Sequence, residues 1–156
     1  MKINIRKFKL IDKKELIELI QNLYKKDSNG ESINLQKINR TLKELFLHTE
    51  KGSIFVIEEK EKIIGYSIII NYWSNEFGGN ILFIDEIFIH QDYRNMGIGT
   101  NFINYLIKNK INSSVGIQLE VVKSNTKAKN FYEKLGFNLS DRIHMIYSKD
   151  KNKKKR

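Results

Sequence analysis

The sequence predicts an α/β fold, a mixed sheet with strong local antiparallel pairing covered by helices. Three observations predict it. Short β-branched and aromatic runs recur along the chain, which is the pattern of strands. Between several of them lie segments whose apolar residues repeat at i, i+3 and i+4, the pattern of helices packed on one side. The link Glu59-Lys60-Glu61-Lys62 is short and charged, so the runs it joins are adjacent antiparallel strands.

Taken in order, Lys2 to Lys9 alternates apolar with charged residues and reads as a first strand. Asp12 is expected to cap the helix that follows, whose stripe is Leu16, Ile17, Leu19, Ile20, Leu23 and Tyr24. Asn29-Gly30 marks a loop. A second helix from Asn34 to Leu47 buries Leu35, Ile38, Leu42, Leu45 and Phe46. Ser53–Glu58 and Ile63–Tyr72 form the antiparallel pair, and Gly65 marks a bulge or a close backbone approach. Residues 73–80, WSNEFGGN, are a hairpin loop with a partly packed Trp73, or a substrate rim.

A strand from Ile81 to Ile89 and a helix starting near Ile98 come next. A polar link from Asn109 to Ser114 then leads to a strand over Val115–Val121. Ser124-Asn125-Thr126 begins a helix carrying Ala128, Phe131, Tyr132 and Leu135, which Gly136 closes. Phe137–Leu139 and Ile143–Ser148 are expected to be a last pair of strands. The predicted order is β-α-α-β-β-β-α-β-α-β-β.

The 156 residues are read as one domain over 1–149 with a basic tail over 150–156. Of the net charge of +10, the last eight residues supply +5, from six positive groups and one negative. The surplus is therefore read as a solvated tail, and nucleic acid is not expected as a partner. There are no cysteines, which excludes disulfides and thiolate chemistry. No apolar run approaches a signal peptide or a membrane span, so a cytoplasmic protein is expected.

Chemistry concentrates at Ile81–Leu106. Its strand carries adjacent carboxylates, Asp85 and Glu86, which alternation sends to opposite faces. The turn Arg94-Asn95-Met96-Gly97-Ile98-Gly99 then runs into a helix, aiming backbone N–H groups and a positive helix end at one point suited to phosphate. It is neither a P-loop nor a dinucleotide fingerprint. Downstream, Asn125, Ala128, Tyr132, Gly136 and Phe137 form a second pattern, in which Phe131 packs and the Tyr132 hydroxyl needs a partner or a cleft edge.

Arg94-x-x-Gly97-x-Gly99 resembles the coenzyme A motif of the GNAT superfamily of N-acetyltransferases, and Asn125–Phe137 resembles that superfamily's second signature. Asn95 stands where the family commonly has a further glycine. The resemblance implies a V-shaped splay between strands 4 and 5, opened by a bulge. It implies acetyl-CoA as acetyl donor, held at Ile87, Phe88 and Ile89 by backbone groups and at Arg94, Asn95, Met96, Gly97, Ile98, Gly99 and Thr100 by the turn. Asn125 and Tyr132 would contact it from the other side. It also implies a homodimer.

Ile84-Asp85-Glu86-Ile87-Phe88-Ile89 is similar to a run in spermidine/spermine and diamine acetyltransferases, with the carboxylates in reverse order. The acceptor implied is a small cationic amine, a polyamine or diamine. Such an amine is protonated near pH 7 and must lose a proton before attack. Glu86 is favoured as the proton relay, with Asp85 as the alternative. The Ile87 N–H is the implied oxyanion donor and Tyr132 the general acid. With no cysteine to carry an acetyl group, direct transfer is expected. Alternatives are a protein, peptide or aminoglycoside acceptor, or a non-catalytic acyl-CoA-binding or interaction module. His48 reads as a solvated helix end, His90 as a flank of the turn, and His144 as a candidate for the acceptor pocket. Their spacing matches no zinc site, and no metal is expected.

Overall fold

The computed structural model describes residues 2–27, 33–109, 113–145 and 147. Asn29-Gly30, Lys110–Asn112, Ile146, Ser148 and the tail lie outside the described residues. The chain divides into two compact units, residues 1–120 and 121–156.

The first unit is a five-stranded sheet whose strand order follows chain order. The strands are β1 (Asn4–Lys7), β2 (Gly52–Glu59), β3 (Lys62–Ser74), β4 (Gly79–Ile89) and β5 (Gly116–Leu119). The first four pair antiparallel, and β5 joins β4 in parallel. A parallel neighbour needs a crossover, which α3 (Ile98–Asn109) supplies. The hairpin after β3 is tighter than expected, because pairing continues to Ser74 and Gly79. Trp73 is 67% exposed rather than partly packed.

Helices cover both faces. α1 (Lys13–Asp27) and α2 (Leu35–Leu47) lay Leu16, Leu19, Ile20, Ile38, Leu42 and Leu45 on Ile54, Val56, Tyr66, Ile68 and Phe88. α3 packs on the opposite face, with Phe55 set edge-on to Phe102 and Tyr105 at 5.9 Å each. Leu35 and Phe46, expected in the core, are 48% and 41% exposed. Leu35 is the first residue of its helix, and Phe46 sets its ring edge-on to Phe8 of the core at 6.2 Å.

Asp12 does not act as a simple cap. It sits in a single 3-10 turn before α1, accepts the Lys9 N–H at 2.7 Å, and pairs with Arg6 at 2.7 and 2.9 Å. The Arg6 guanidinium holds the Asp12 carboxyl below its ordinary value. Arg6 also binds Glu58, so one cation ties β1 and β2 to the entrance of α1.

Both readings of Gly65 hold. The β2–β3 register slips beside it, between Ile57 and Glu58, and a Cβ on Gly65 would lie 2.6 Å from the Phe88 carbonyl oxygen. The second unit holds α4 (Thr126–Lys134). Strands were expected over Phe137–Leu139 and Ile143–Ser148; among the described residues there, 137–145 and Tyr147, none carries regular structure. The apolar alternation is present, yet Ile143, Met145 and Tyr147 are 88–91% exposed, so burial does not recruit them into a ladder. Among the described residues no helix is long and apolar enough to cross a membrane.

Candidate active site

The centre of the first unit is an irregularity in β4. Ile68 pairs with Glu86 and Ile69 with Ile84, so Asp85 is an extra residue with no partner in the ladder. This bulge breaks simple alternation and lets two adjacent carboxylates take separate environments. The resemblance implied a bulge in this strand, but the composition of Ile81–Ile89 does not say at which residue it falls.

Glu86 shares the face of Tyr66 and Ile68. Its Oε1 accepts the Tyr24 hydroxyl at 2.6 Å and its Oε2 accepts the Tyr66 hydroxyl at 3.0 Å. Asp85 keeps a solvent-facing surface. Burial of its carboxyl, helped by the negative charge of Glu120, holds its pKa above the ordinary aspartate value.

The β4–β5 ladder ends at Ile84 and Leu119, next to the bulge. Gln118 of β5 is paired with Phe83. Past this point β4 continues on β3 alone. The His90 N–H donates to Ile64 O at 2.8 Å, so by ladder alternation Phe88 and His90 turn their main-chain groups toward β3. Ile87 and Ile89 turn theirs to the free edge. The Ile89 carbonyl there accepts the Arg94 Nε–H at 2.9 Å.

The turn after β4 has a conformation that explains its residue types. His90 to Arg94 close a 3-10 turn, and the Arg94 guanidinium lies 5.7 Å from the centre of the Phe88 ring. Asn95 and Gly97 adopt φ of +63° and +76°. Asparagine tolerates this left-handed region better than most side chains, which accounts for its presence where the family commonly has glycine. A Cβ on Gly97 would meet nothing within 4 Å. The Asn101 N–H donates to Gly97 O at 2.9 Å as the first hydrogen bond of α3, so the amides of Ile98, Gly99 and Thr100 precede the helical ladder. Met96 is exposed beside them. Amides outside the helical ladder, a positive helix end and an unobstructed glycine fit a phosphate-bearing cofactor such as coenzyme A.

In the second unit the Asn125 side chain accepts the Ala128 N–H at 3.0 Å and caps α4. Gly136 closes the helix at φ +90°, and the Phe137 N–H returns to Tyr132 O at 3.1 Å. Tyr132 lies edge-on between Phe131 and Phe137, at 5.0 and 5.5 Å. Burial raises its hydroxyl pKa above the ordinary tyrosine value, which keeps it a proton donor at neutral pH.

His48 is the exposed C-terminal cap of α2, His90 begins the 3-10 turn, and His144 is exposed in the second unit. Among the described residues no three His, Cys, Asp or Glu side chains stand together as metal ligands. Sequence reasoning missed Tyr24 and Ser67. Tyr24 looked like core, and its partner lies 62 residues away. The fully buried Ser67 hydroxyl donates to the Glu86 carbonyl at 2.8 Å, behind the bulge.

A mixed sheet whose β4–β5 ladder ends beside a bulge, followed by a turn suited to phosphate, is the arrangement expected of a group-transfer enzyme that takes its group from coenzyme A. The model of the Acetyltransferase (GNAT) family matches residues 16–137, and the chain belongs to that family. A possible acetyltransferase from Clostridium difficile 630 is similar in structure, with a TM-score of 0.81 and 28% identity, over 95% of this chain and 98% of that one. Glucosamine-6-phosphate N-acetyltransferase from Arabidopsis thaliana gives 0.72 and 21%, over 96% and 100%. Ribosomal-protein-alanine N-acetyltransferase from Brucella melitensis biovar Abortus 2308 gives 0.74 and 16%, over 94% and 99%. No curated protein matches the chain in sequence. The protein is an acetyl-CoA-dependent acetyltransferase. The last two relatives differ in acceptor by name, so likeness of fold selects none.

Proposed function

We propose that the protein acetylates a primary amine, and that the amine is a small polyamine or diamine. The observation that carries this reading is the bulge at Asp85, which sets Asp85 and Glu86 in separate environments at the open end of β4, with Glu120 close enough to act on Asp85. Three carboxylates around the open edge favour a cation. The likeness of residues 84–89 to the polyamine enzymes narrows the cation to that class.

Bound acetyl-CoA supplies a thioester carbonyl. The chain's own residues do the rest. The amides of Ile98, Gly99 and Thr100 and the positive end of α3 hold pyrophosphate, with Arg94, Asn95, Met96 and Gly97 shaping the turn. The free-edge groups of Ile87 and Ile89, on either side of Phe88, hold the extended arm of the cofactor. The Ile87 N–H donates to the oxygen on which charge develops. Asp85 accepts the acceptor's proton, directly or through water, and Glu86 anchors the ammonium. This reverses the preference drawn from sequence, because Glu86 is held by two phenols while Asp85 has the raised pKa of a base. The Tyr132 hydroxyl returns a proton to the leaving group, and Asn125 supports it by capping α4.

The sign of the pH dependence follows from Asp85. Below its raised pKa the carboxyl is protonated and accepts nothing, so turnover climbs as pH rises through that value. Stability runs the other way. The unfolded chain releases this proton first, so the folded state loses stability as pH rises from the ordinary aspartate value through the raised one. The test is a steady-state screen of spermidine, putrescine, amino acids and N-terminal peptides with acetyl-CoA, run on the parent and Asp85→Asn. Polyamine turnover that falls about 100-fold in the variant is expected. Turnover confined to peptides, or an unaffected variant, overturns the reading.

A further inference from the structure

Ser67 sits in β3 with none of its surface exposed, between Phe55 of β2 on one side and Ile87 of β4 on the other. Phe55 carries that face of the sheet into its edge contacts with Phe102 and Tyr105 of α3. A hydroxyl costs free energy in such apolar surroundings unless it is hydrogen-bonded, and an alanine would carry no such cost. The Ser67 Oγ is bonded to the main chain of the site. It donates at 2.8 Å to the carbonyl of Glu86, the first residue of β4 to rejoin the ladder after the unpaired Asp85.

That carbonyl shares a peptide unit with the N–H of Ile87. The unit is trans, and in a planar trans peptide the C=O and the following N–H point in opposite directions. Fixing the Glu86 carbonyl toward β3 therefore fixes the Ile87 N–H toward the free edge of β4, past the end of the β4–β5 ladder at Ile84 and Leu119. Pairing of Glu86 with Ile68 favours the same direction, but Asp85 interrupts the ladder beside it. The side-chain bond holds the peptide where the ladder is broken. A hydrogen bond accepted by a carbonyl also polarises its peptide, which strengthens the N–H as a donor. We propose that Ser67 is a positioning residue for the transfer step, orienting and polarising from within the core the Ile87 N–H that meets the developing negative charge. This rests on the reading of Ile87 as the oxyanion donor.

The test follows the parent, Ser67→Ala and Ser67→Cys by steady-state kinetics with acetyl-CoA and spermidine or putrescine, and by thermal midpoint. In isotope-labelled protein it also follows the Ile87 amide proton during titration with acetyl-CoA. In the parent that proton should move downfield as the thioester carbonyl reaches it. In Ser67→Ala the movement should shrink, and kcat should fall about 10-fold with both KM values within about twofold. Ser67→Cys keeps the shape with a weaker donor and should fall between the two. If Ser67→Ala does not fold, Ser67→Cys carries the same comparison. A parent-like kcat or a parent-like Ile87 response in the variant, or a loss carried by either KM, overturns the positioning role and leaves the oxyanion reading standing. An Ile87 amide that ignores acetyl-CoA in the parent overturns that reading, and the role of Ser67 with it. No turnover of either amine overturns the polyamine reading, and the Ile87 response alone then decides the role of Ser67.

Discussion

The turn before α3 and the segment around α4 are both built from a left-handed glycine and a helix end, but they use them in opposite directions. Before α3, Asn95 and Gly97 bend the chain so that the first amides of the helix precede its hydrogen-bond ladder. Around α4, Asn125 takes up the Ala128 amide, Gly136 reverses the chain, and Phe137 returns its amide to Tyr132. The first motif leaves backbone donors for a ligand. The second uses the Asn125 side chain and the Phe137 amide on its own helix, and the hydroxyl of Tyr132 is the group we propose for chemistry. Similar residue types thus leave amides outside the ladder in one place and close a helix in the other.

The largest effect should come from that hydroxyl. Tyr132→Phe keeps the ring between Phe131 and Phe137 and removes only the proton donor. Turnover is expected to fall about 100-fold, with acetyl-CoA affinity nearly unchanged and the alkaline decline of the pH profile lost. Parent-like turnover would make the whole second motif constructional.

Gly97→Ala tests the other side of the comparison. A Cβ there meets no protein atom, so the protein itself suffers only the left-handed strain of about 1 kcal/mol. Phosphate lying against the turn would meet that Cβ directly. Acetyl-CoA KM should rise about 10-fold with little change in the amine KM, a difference of about 1.4 kcal/mol. A loss of stability with no change in acetyl-CoA KM would remove the turn from the binding site.

The smallest effect is expected at Asn125. Replacing it with Ala removes the cap and should lower stability by about 1 kcal/mol, read from denaturant unfolding, while Asn125→Ser should keep most of it. If Ser restores stability but leaves acetyl-CoA binding weak, Asn125 touches the cofactor as well as the helix.

The order of elements through α4 was legible in the sequence because it rests on periodicity. The turn was legible because only certain residues tolerate its φ angles. What escaped depended on relations between distant residues. Asp12 looked like a helix cap because the first residue before an apolar stripe usually is one, and only the fold brings Arg6 beside it. Ile143, Met145 and Tyr147 alternate as a strand does, but alternation reports what a segment can bury and not whether anything covers it. The unequal environments of Asp85 and Glu86 arise from one unpaired residue in a ladder and one tyrosine on a helix. Neither leaves a trace in the local pattern.

The exposed end of the β3–β4 hairpin also decides how this protein can be observed. Trp73 is the chain's only tryptophan and stands 67% in water. Its emission in the folded state therefore already reflects a wet indole, and unfolding changes it little. Loss of the core is better followed by circular dichroism or by tyrosine, while a shift of the tryptophan band to shorter wavelength would report something settling on that hairpin.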